Sequence, residues 1–517
     1  MFAMNRISRR DALRGLVAAP ALILPRKSIG QDLPKIAKGR FDGTAESLRA
    51  WQVPEWFRDA KFGIWAHWGP QSAAEFGDWY ARNIYIQDSP QNKYHVEHYG
   101  HPSKFGHKDI CRLWKGDQFD PDHLLQLYKR AGAKYFMSMG VHHDNFDLWN
   151  SKHQPRWNAV ATGPKQDVVG LWRKAAQKHG LKFAVSEHLS NSYNWLAVSH
   201  GSDKTGPLAG VPYDGTDPAY ADLYHPFPKD QPIPTQAMSR VAPDSWKLLY
   251  FRRIQDLIDN YQPDLLYTDG GIPFGYWGYR LVSHYYNTIA KAHGGKVEGI
   301  YTSKTAADCE NGTCVLDLER GVANEIKPHP WQTDTCIGDW HYKKGQKYKT
   351  PKLVIDMLCD IVSRNGNLML NFPLPNSGAL DPEELKVLDG ITRWMAVNSE
   401  GIYGTRPWKI SGNPAAPPAG AQGGFNERNR KELTANDVRF TSKGNVIYAF
   451  VMGWPEREAV VPALAMGGAQ GVGKIRSVEL LGHKGKVTFA QDASALKVEM
   501  PPERPADHAI TLKIVGA

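Results

Sequence analysis

The sequence has 517 residues, of which 42% are hydrophobic and 22% are charged. These values are typical of a folded globular protein and exclude a disordered one, and the length predicts two or three domains. A large part of the net charge of +10 lies in residues 1–30. No Lys/Arg run or basic helix follows, so nothing in the sequence indicates nucleic-acid binding.

The start of the chain has the pattern of an export signal. Arg9 and Arg10 precede a short apolar stretch at 16–24, which is too short to span a bilayer. Twin arginines before such a stretch are typical of twin-arginine signals, and a frayed basic terminus is the alternative. We therefore expect residues 1–30 to be an export signal. The rest of the protein is then periplasmic or secreted, without a membrane span.

Strand and helix patterns alternate through residues 31–405. Eight apolar runs have the length of buried strands, and helical spacing follows most of them. The strands are predicted at 62–66, 135–139, 182–185, 265–269, 297–302, 315–318, 331–338 and 368–372, and the helices at 122–131, 168–179, 246–261, 276–293, 351–364 and 381–398. This repeated alternation predicts an α/β fold, a (β/α)8 barrel of the TIM type.

Polar residues collect where the predicted strands end. They are His67, His142, His143, Glu187, Asp269, Glu319 and Asn371. In a (β/α)8 barrel the carboxyl ends of the strands meet at one face, which carries the active site. We therefore predict that these side chains converge on one site.

Asp269 and the histidine pair are the most informative of these residues. Asp269 lies between an apolar strand and two glycines, a context that delivers a carboxylate into a strand-end loop, although an aspartate that only caps a turn is the alternative. His142 and His143 could bind a metal, but no third ligand has suitable spacing. We expect them to hydrogen-bond a substrate, or to be satisfied core histidines, and we predict no metal and no cofactor.

Residues 199–243 interrupt the alternation. This stretch is rich in Gly, Pro and Asp and has little periodicity. Loops of this length are usually lids or disordered segments. We expect an insertion over the barrel mouth, with a disordered surface loop as the alternative.

Cys309 and Cys314 flank an Asn-Gly pair. Asn-Gly is the strongest signal for a two-residue hairpin turn. Such a hairpin would place the two cysteines opposite each other, close enough to form a disulfide.

The sequence changes character after Pro407. A Pro/Ala/Gly-rich stretch at 412–424 precedes six short alternating runs, at 438–441, 446–452, 477–481, 487–490, 496–500 and 509–515. Short strands separated by turn residues are typical of a β-sandwich. We therefore assign 31–405 to a catalytic barrel and 406–517 to a C-terminal β-sandwich.

Six motifs stand out in chain order. They are KFGIWAHWGP at 61–70, DWY at 78–80, HHDNF at 142–146, LLYTD at 265–269, NLMLN at 367–371 and GIYGT at 401–405. In these motifs the chain resembles glycoside hydrolase family 29, the α-L-fucosidases. The resemblance implies retaining hydrolysis of α-L-fucosides by a barrel followed by a C-terminal β-sandwich. It also implies that Asp269 is the nucleophile and that His67, His142, His143 and Trp79 bind fucose.

The chain departs from the family pattern at the acid/base position. Many members have this glutamate in a Trp-Glu pair that here reads Trp331-Gln332, and an amide cannot donate the proton. Other members carry the acid/base in an Asn-Glu-x-Gly-Val segment, which residues 318–323 resemble. We therefore predict that Glu319 is the acid/base, with Glu187 as the next candidate. A structural salt bridge is the alternative for either residue.

Further departures concern the surroundings of the site. Val141, Asn145 and Asp78 stand where the family usually has Lys, Gly and Glu. The full set of predicted substrate-binding residues is His67, Asp78, Trp79, His142, His143, Glu187, Tyr267, Trp331 and Gln332.

The sequence thus predicts an exported, exo-acting retaining α-L-fucosidase that acts on a fucosylated carbohydrate. Gln332 stands where many family members have the acid/base glutamate. This motivates a second hypothesis, that the chain is a non-catalytic fucose-binding protein with a degenerate barrel. A third hypothesis keeps the mechanism and changes the sugar, because Val141, Asn145 and the insertion at 199–243 could line the pocket. Oligomeric state, fucosyl linkage and leaving group stay open.

Overall fold

Eight parallel strands close into a barrel in the computed structural model, which describes residues 33–228, 232–234, 236–413, 425–430 and 432–516. The strands are β1 (Phe62–Ala66), β2 (Tyr135–Val141), β3 (Lys182–Glu187), β4 (Leu265–Thr268), β5 (Ile300–Ser303), β6 (Val315–Asp317), β7 (Trp331–Cys336) and β8 (Gly366–Asn371). β8 pairs back to β1, and nearly all strand residues are buried because parallel strands are covered on both faces. The predicted barrel is confirmed. The predicted export signal at 1–30 lies outside the described residues.

Helices connect most of the strands. Over the described residues they are α1 (Ala45–Leu48), α2 (Glu55–Ala60), α3 (Tyr80–Asn83), α4 (Pro90–His98), α5 (His107–Leu113), α6 (Pro121–Arg130), α7 (Val168–His179), α8 (Ser192–Trp195), α9 (Ala221–Tyr224), α10 (Asp244–Tyr261), α11 (Tyr276–Ala292), α12 (Ala306–Glu310), α13 (Pro351–Ser363) and α14 (Pro382–Asn398). α7 ends at Gly180, whose φ of +67° suits a residue without a Cβ. Residues 318–330, which join β6 to β7, contain no helix. None of the helices in the described part of the chain is long and apolar enough to cross a membrane.

The hairpin predicted around Asn311 and Gly312 is wrong. The preceding residues form α12, and Gly312, with a φ of +74°, follows the end of that helix. Asn-Gly provides the left-handed conformation that ends a helix as readily as it provides a hairpin turn. The predicted proximity of the cysteines nevertheless holds, since Cys309 Sγ and Cys314 Sγ lie 3.0 Å apart as unbonded thiols.

The insertion at 199–243 is folded where the structure describes it. Leu223 and Tyr224 of α9 are fully buried. The carboxylate of Asp214 accepts hydrogen bonds from the hydroxyl groups of Tyr85 and Tyr224, at 2.7 and 2.9 Å. These contacts join the insertion to the segment between β1 and β2. A folded insertion over the barrel mouth needs such contacts, whereas a disordered surface loop would lack them.

Asn145 explains one departure from the family pattern. Its φ of +65° lies in the left-handed region, where asparagine is the best substitute for glycine. Its amide donates to the Leu223 carbonyl at 2.7 Å and its side-chain oxygen accepts from Arg253. Arg253 in turn forms a fully buried ion pair with Asp147. An asparagine at this position therefore links the loop after β2 to both the insertion and α10.

Two antiparallel sheets follow the barrel. One contains β9 (Arg406–Asn413), β10 (Val438–Lys443), β11 (Val446–Val451), β13 (Ser477–Leu480) and β16 (Ile510–Val515), and the other contains β12 (Glu458–Val461), β14 (Phe489–Gln491) and β15 (Leu496–Glu499). Apolar side chains from both sheets, such as Phe440, Val461 and Leu496, share one core. The predicted C-terminal sandwich is confirmed, and β9 and β12 are additions to the six predicted strands.

One buried carboxylate joins the sandwich to the barrel. Asp360 on α13 forms ion pairs with Arg364, which directly follows that helix, with Arg430 at 3.0 Å and with Arg439 of β10 at 2.6 Å. Burial acts to raise the pKa of Asp360, but Arg430, Arg364 and Arg439 together hold this pKa below its ordinary value. Removing one partner of a buried pair leaves the others with an uncompensated charge.

We predict that Asp360→Ala lowers the free energy of unfolding by about 3–5 kcal/mol, because it leaves the arginines buried without their anion. Urea denaturation followed by tryptophan fluorescence measures this loss. Asp389→Ala is the matched control, because Asp389 pairs with Arg393 on an exposed surface and such pairs contribute at most about 1 kcal/mol. Equal losses in the two variants would contradict the role given to Asp360.

Candidate active site

A cavity of about 410 Å³ lies at the carboxyl ends of the barrel strands. Its volume is in the range of small-molecule sites, and it combines aromatic rings with several polar groups. Residues from strand ends and following loops line it: Trp65, His67, Asp78, Trp79, His142, His143, His188, Tyr267, Asp269, Gly270, Lys304, Glu319, Asp334 and Trp340, with Met238 and Phe425 from outside the barrel.

Asp269 is the first residue after β4. Its Oδ1 accepts from Lys304 Nζ at 2.7 Å, and its Oδ2 lies 3.0 Å from Nε2 of His143 and 3.4 Å from Nδ1 of His188. Burial acts to raise the pKa of Asp269, but Lys304, His143 and His188 hold this pKa well below its ordinary value. Asp269 is therefore ionised at neutral pH.

His143 contributes to this charge balance through its two ring nitrogens. Nδ1 lies 2.7 Å from the carbonyl oxygen of His188, and Nε2 lies 3.0 Å from the carboxylate of Asp269. Both partners are hydrogen-bond acceptors, so His143 connects the backbone after β3 to the carboxylate of Asp269.

Glu319 follows β6 and enters the same cavity. Its Oε2 contacts Lys304 Nζ, and its side chain is 18% exposed. Burial raises the pKa of Glu319 to about 7, with Asp334 and Asp269 adding to the rise and Lys304 opposing it. The next residue, Arg320, pairs with Glu427 at 2.7 Å, so it does not hold Glu319 ionised.

Lys304 is the residue that joins the two carboxyl groups. It follows β5 directly, contacts both Asp269 and Glu319, and lies 3.8 Å from Oδ2 of Asp334. Because both groups hydrogen-bond one ammonium, the contacting oxygens are at most about 6 Å apart. This limit fits the spacing of about 5–5.5 Å in retaining glycosidases and is shorter than the spacing in inverting ones.

Four histidines line the cavity together with Trp65 and Trp340: His67, His142, His143 and His188. Nδ1 of His142 accepts a hydrogen bond from the side-chain amide of Gln71 at 2.8 Å. Behind this wall, Nδ1 of His341 donates to Asp78 at 2.6 Å. Among the described residues, Nδ1 of His67 and Nε2 of His188 have no hydrogen-bond partner although they are buried.

His67, His142 and His188 are largely neutral. Burial lowers the pKa of His67 and of His142 well below the ordinary value, and it lowers the pKa of His188 to about 4. A neutral imidazole with a free nitrogen can exchange a hydrogen bond with a ligand hydroxyl.

The same nitrogens could also hold a metal ion. One ring nitrogen each from His67, His142 and His188 lies within 4.8 Å of the others, and three imidazoles are a donor set that zinc accepts. The expectation that the histidine pair lacks a third partner is therefore wrong, because the barrel brings His67 and His188 beside it. The prediction of a metal-free site stays a prediction.

Trp79 presents its ring to the cavity from a constrained backbone. Its φ of +57° is unusual for a bulky residue, and its ring lies 5.9 Å from the ring of Trp195. With His67, Asp78, His142, His143, Tyr267, Asp269 and Glu319, it belongs to the predicted residues that the structure brings together.

Four predicted residues lie outside the lining of this cavity. Asn371 is one of them, and it lies behind the lining, where its side chain accepts from the His67 N–H at 2.8 Å and donates to the Trp340 carbonyl at 2.9 Å.

Glu187 is buried against α10, where its carboxylate accepts from the Tyr250 hydroxyl at 3.0 Å and from Thr268. Adjacent residues in an extended segment point in opposite directions. His188 therefore enters the cavity and Glu187 does not.

Trp331 and Gln332 are the other two. They begin β7, so they lie at the amino end of the barrel, opposite the cavity. Gln332 is bound to Asp317 at 2.7 Å and to the Tyr135 hydroxyl at 3.0 Å, while the Trp331 indole donates to the Arg364 carbonyl. Their position removes this pair from contact with a ligand in the cavity.

Several cavity residues were not predicted from the sequence. Lys304, His188 and Trp340 each follow a strand closely, which is the signal that selected the other candidates. Asp334 lies within β7, where its Oδ2 accepts from the Tyr267 hydroxyl at 2.9 Å. Met238 and Phe425 carry no such signal, because they come from the insertion and from the segment after the barrel.

Family models match most of the chain. A model described as alpha-L-fucosidase matches residues 30–400, and one described as the alpha-L-fucosidase C-terminal domain matches residues 430–515. Similar proteins include the plasma alpha-L-fucosidase of Homo sapiens, 26% identical over 90% of both chains. The tissue alpha-L-fucosidase of Homo sapiens is 24% identical over 98% of this chain and 99% of that protein.

Solved structures have the same fold. The alpha-fucosidase of Thermotoga maritima in complex with fucose superposes with a TM-score of 0.68 at 24% identity, covering 92% of this chain and all of the other. Alpha-L-fucosidase isoenzyme 1 from Paenibacillus thiaminolyticus superposes with a TM-score of 0.62 at 20% identity, covering 91% and 99% of the two chains.

We predict that Lys304→Met destabilises the protein by about 3–5 kcal/mol at pH 7.5, because it leaves the carboxylates without their shared cation. The folded-state pKa values of Asp269 and Glu319 then rise, so the folded state binds more protons than the unfolded state. The loss is therefore full above these raised values and shrinks as the pH falls through them toward about 4.

Urea midpoints at pH 7.5 and 5 test this dependence. Lys178→Met serves as control, since Lys178 is 66% exposed and its ion pair with Asp122 is a surface contact. A loss in Lys304→Met that is the same at both pH values would contradict the shared-cation interpretation.

Proposed function

Because the chain belongs to the α-L-fucosidase family, we propose that it is an exo-acting retaining α-L-fucosidase that releases terminal L-fucose from fucosylated carbohydrates. The observation that carries this proposal is that Asp269 and Glu319 both contact Lys304. The pKa of Asp269 is held low, and the pKa of Glu319 is raised to about 7. Double displacement needs one ionised and one protonated carboxyl group at this spacing.

In the first step, a carboxylate oxygen of Asp269 attacks C1 of fucose while Glu319 protonates the departing glycosidic oxygen. The bond from C1 to that oxygen breaks, and an ester bond from C1 to Asp269 forms. In the second step, Glu319 removes a proton from water, and the resulting hydroxide replaces Asp269 at C1. Both groups return to their starting states.

Lys304 keeps the charge balanced through both steps. Before attack its ammonium faces the anion of Asp269, and in the intermediate Asp269 is a neutral ester. Glu319 is then the anion, and it contacts the same ammonium. The negative charge thus moves across one fixed cation, so little reorganisation of the site is needed.

The remaining cavity residues supply recognition. The free nitrogens of His67 and His188 offer partners for sugar hydroxyl groups, and the Trp79 ring offers an apolar surface for the C6 methyl group. The cavity of about 410 Å³ suits a single terminal sugar better than an internal segment of a polymer, which supports exo action.

The structural observations disfavour the other two hypotheses. A non-catalytic protein was motivated by Gln332, but Glu319 supplies a carboxyl group in the cavity and Gln332 lies at the opposite end of the barrel. A changed sugar was motivated by Val141 and Asn145, and neither lines the cavity. The insertion does contribute one lining residue, Met238.

We predict that Asp269→Ala lowers turnover by more than about 10⁴-fold in protein that is still folded at the assay temperature, because the substitution removes the attacking carboxylate. A fluorinated fucosyl reagent should label the wild-type peptide that contains Asp269. Added azide should restore turnover in the variant and give the β-fucosyl azide. Labelling of another residue would overturn the assignment.

We predict that Glu319→Gln lowers kcat/KM for a natural disaccharide by about 10²–10⁴-fold and has a smaller effect on an activated aryl fucoside. In the wild type, Glu319 must hold its proton, so kcat/KM should fall as the pH rises through about 7. This alkaline limb should disappear in Glu319→Gln.

Glu187→Gln is the matched control for that prediction. Glu187 is also a strand-end glutamate, is more deeply buried than Glu319 and does not line the cavity, so its variant should keep the alkaline limb and most of the activity. If Glu187→Gln loses the limb and Glu319→Gln keeps it, the acid/base is Glu187.

We also propose that the protein is exported, on the basis of Arg9 and Arg10 before the apolar stretch at 16–24. N-terminal sequencing of protein recovered outside the cytoplasm should begin near Gln31. Intact Met1 on that protein would contradict export by signal removal.

A further inference from the structure

Two large apolar side chains at the cavity are exposed to solvent. Phe425 is 53% exposed and Met238 is 42% exposed, and both line the cavity. Neither belongs to the barrel, because Met238 comes from the insertion and Phe425 from the segment after β9. Single exposed apolar residues are common on protein surfaces, so their placement needs further evidence.

The backbone of Phe425 provides that evidence. Its φ of +60° and ψ of +20° lie in the left-handed region, which a bulky aromatic residue rarely adopts. Its N–H donates to the carbonyl oxygen of Glu319 at 2.7 Å. An unusual conformation persists where its surroundings fix it, and such positions concentrate at ligand sites.

The next two residues attach this segment to the loop that carries Glu319. The side-chain oxygen of Asn426 accepts from the Val322 N–H at 3.1 Å, and its amide donates back to the Val322 carbonyl. Glu427 is almost fully buried and binds Arg320 at 2.7 Å, Thr335 at 2.7 Å and Lys349 at 3.2 Å. Phe425 is therefore held at a fixed position relative to the proposed acid/base.

The segment that carries Met238 is attached in the same way to the loop of the proposed nucleophile, Asp269. Two residues later, Arg240 donates to the carbonyl oxygens of Asp269 and Gly271, at 2.9 and 2.7 Å. Each loop that carries a proposed catalytic carboxylate thus has one exposed apolar side chain fixed beside it.

The position of Phe425 determines what it meets. The acid/base must reach the glycosidic oxygen, so the group on the far side of that oxygen lies next to Glu319. The histidine wall and Trp79 already surround the place of fucose, and Phe425 is attached to the loop of Glu319 instead. Its ring therefore faces the leaving group.

Resting on the proposed function, we propose that Phe425, with Met238 beside it, is the binding platform for the sugar to which fucose is attached. The ligand class is a pyranose with an apolar face of C–H groups, such as galactose or N-acetylglucosamine, stacked on the phenyl ring. The barrel binds fucose, and segments outside the barrel select the leaving group.

The kcat/KM values of Phe425→Ala on three substrates test whether Phe425 binds the leaving group or has another role. A fucosyl disaccharide, chosen as the one that the wild type cleaves best, has a sugar leaving group and needs acid catalysis. Dinitrophenyl α-L-fucoside has a ring for the platform but needs no acid, and α-L-fucosyl fluoride has no ring at all. We expect kcat/KM to fall about tenfold or more on the first two and to change less than about twofold on the fluoride.

Further variants complete the test. Phe425→Trp should restore the disaccharide rate, Met238→Ala should repeat the pattern more weakly, and Val460→Ala, which shortens a 43% exposed residue of β12, should change nothing. Competitive inhibition by free fucose should be equal in all variants, which also verifies that they fold.

Other outcomes would overturn the inference. A loss on the disaccharide alone would mean that Phe425 only positions Glu319, and an equal loss on all three substrates would mean general damage to the site. A wild type that hydrolyses none of the three would refute the proposed function itself, whereas normal hydrolysis by Phe425→Ala would refute only the platform.

Discussion

The ammonium group of Lys304 is the interaction on which the site depends. Without it, Asp269, Glu319 and Asp334 would bring buried carboxyl groups together with no shared counterion. With it, one carboxylate is stabilised as an anion while burial keeps the neighbouring carboxyl group protonated near pH 7. The two states required for double displacement thus have different causes: Lys304, His143 and His188 lower the pKa of Asp269, whereas burial raises the pKa of Glu319 although Lys304 opposes the rise. The rest of the barrel fixes the strand ends that hold these three side chains.

The architecture could be predicted from the sequence because it depends on local patterns. The pattern of short buried strands, three to seven residues long in the structure, separated by amphipathic helices predicted the barrel, and the strand ends predicted Asp269, Glu319 and the histidines. The errors at the site have two causes, which are the orientation of single side chains and the position of a residue along its strand. Glu187 and His188 are neighbours, and only the second enters the cavity. Trp331 and Gln332 were taken from the correct strand, but from its amino end instead of its carboxyl end.

Other parts of the site depend on contacts between distant segments. Lys304 looks like any lysine after a strand until β4 and β6 bring two carboxylates to it. Phe425 follows a Pro/Ala/Gly-rich stretch and has no periodic context, and its position depends on hydrogen bonds to residues that are about a hundred positions earlier. Asn145 shows the reverse case, in which a departure from the family pattern is explained by one dihedral angle and the partners of one side chain. A single sequence carries no record of such distant pairs.

The attachment of residues 425–427 to the loop of Glu319 also sets an order in time. The barrel closes only when β8 pairs with β1, so its closure waits for residue 371 to be synthesised. At ordinary translation rates of about 5–20 residues per second, Phe425 follows several seconds later. During that interval the nucleophile, the lysine and the histidines have all been synthesised, whereas the residues that support the acid loop from outside have not. Chain synthesis therefore supplies the residues of the fucose pocket first and those of the leaving-group side last.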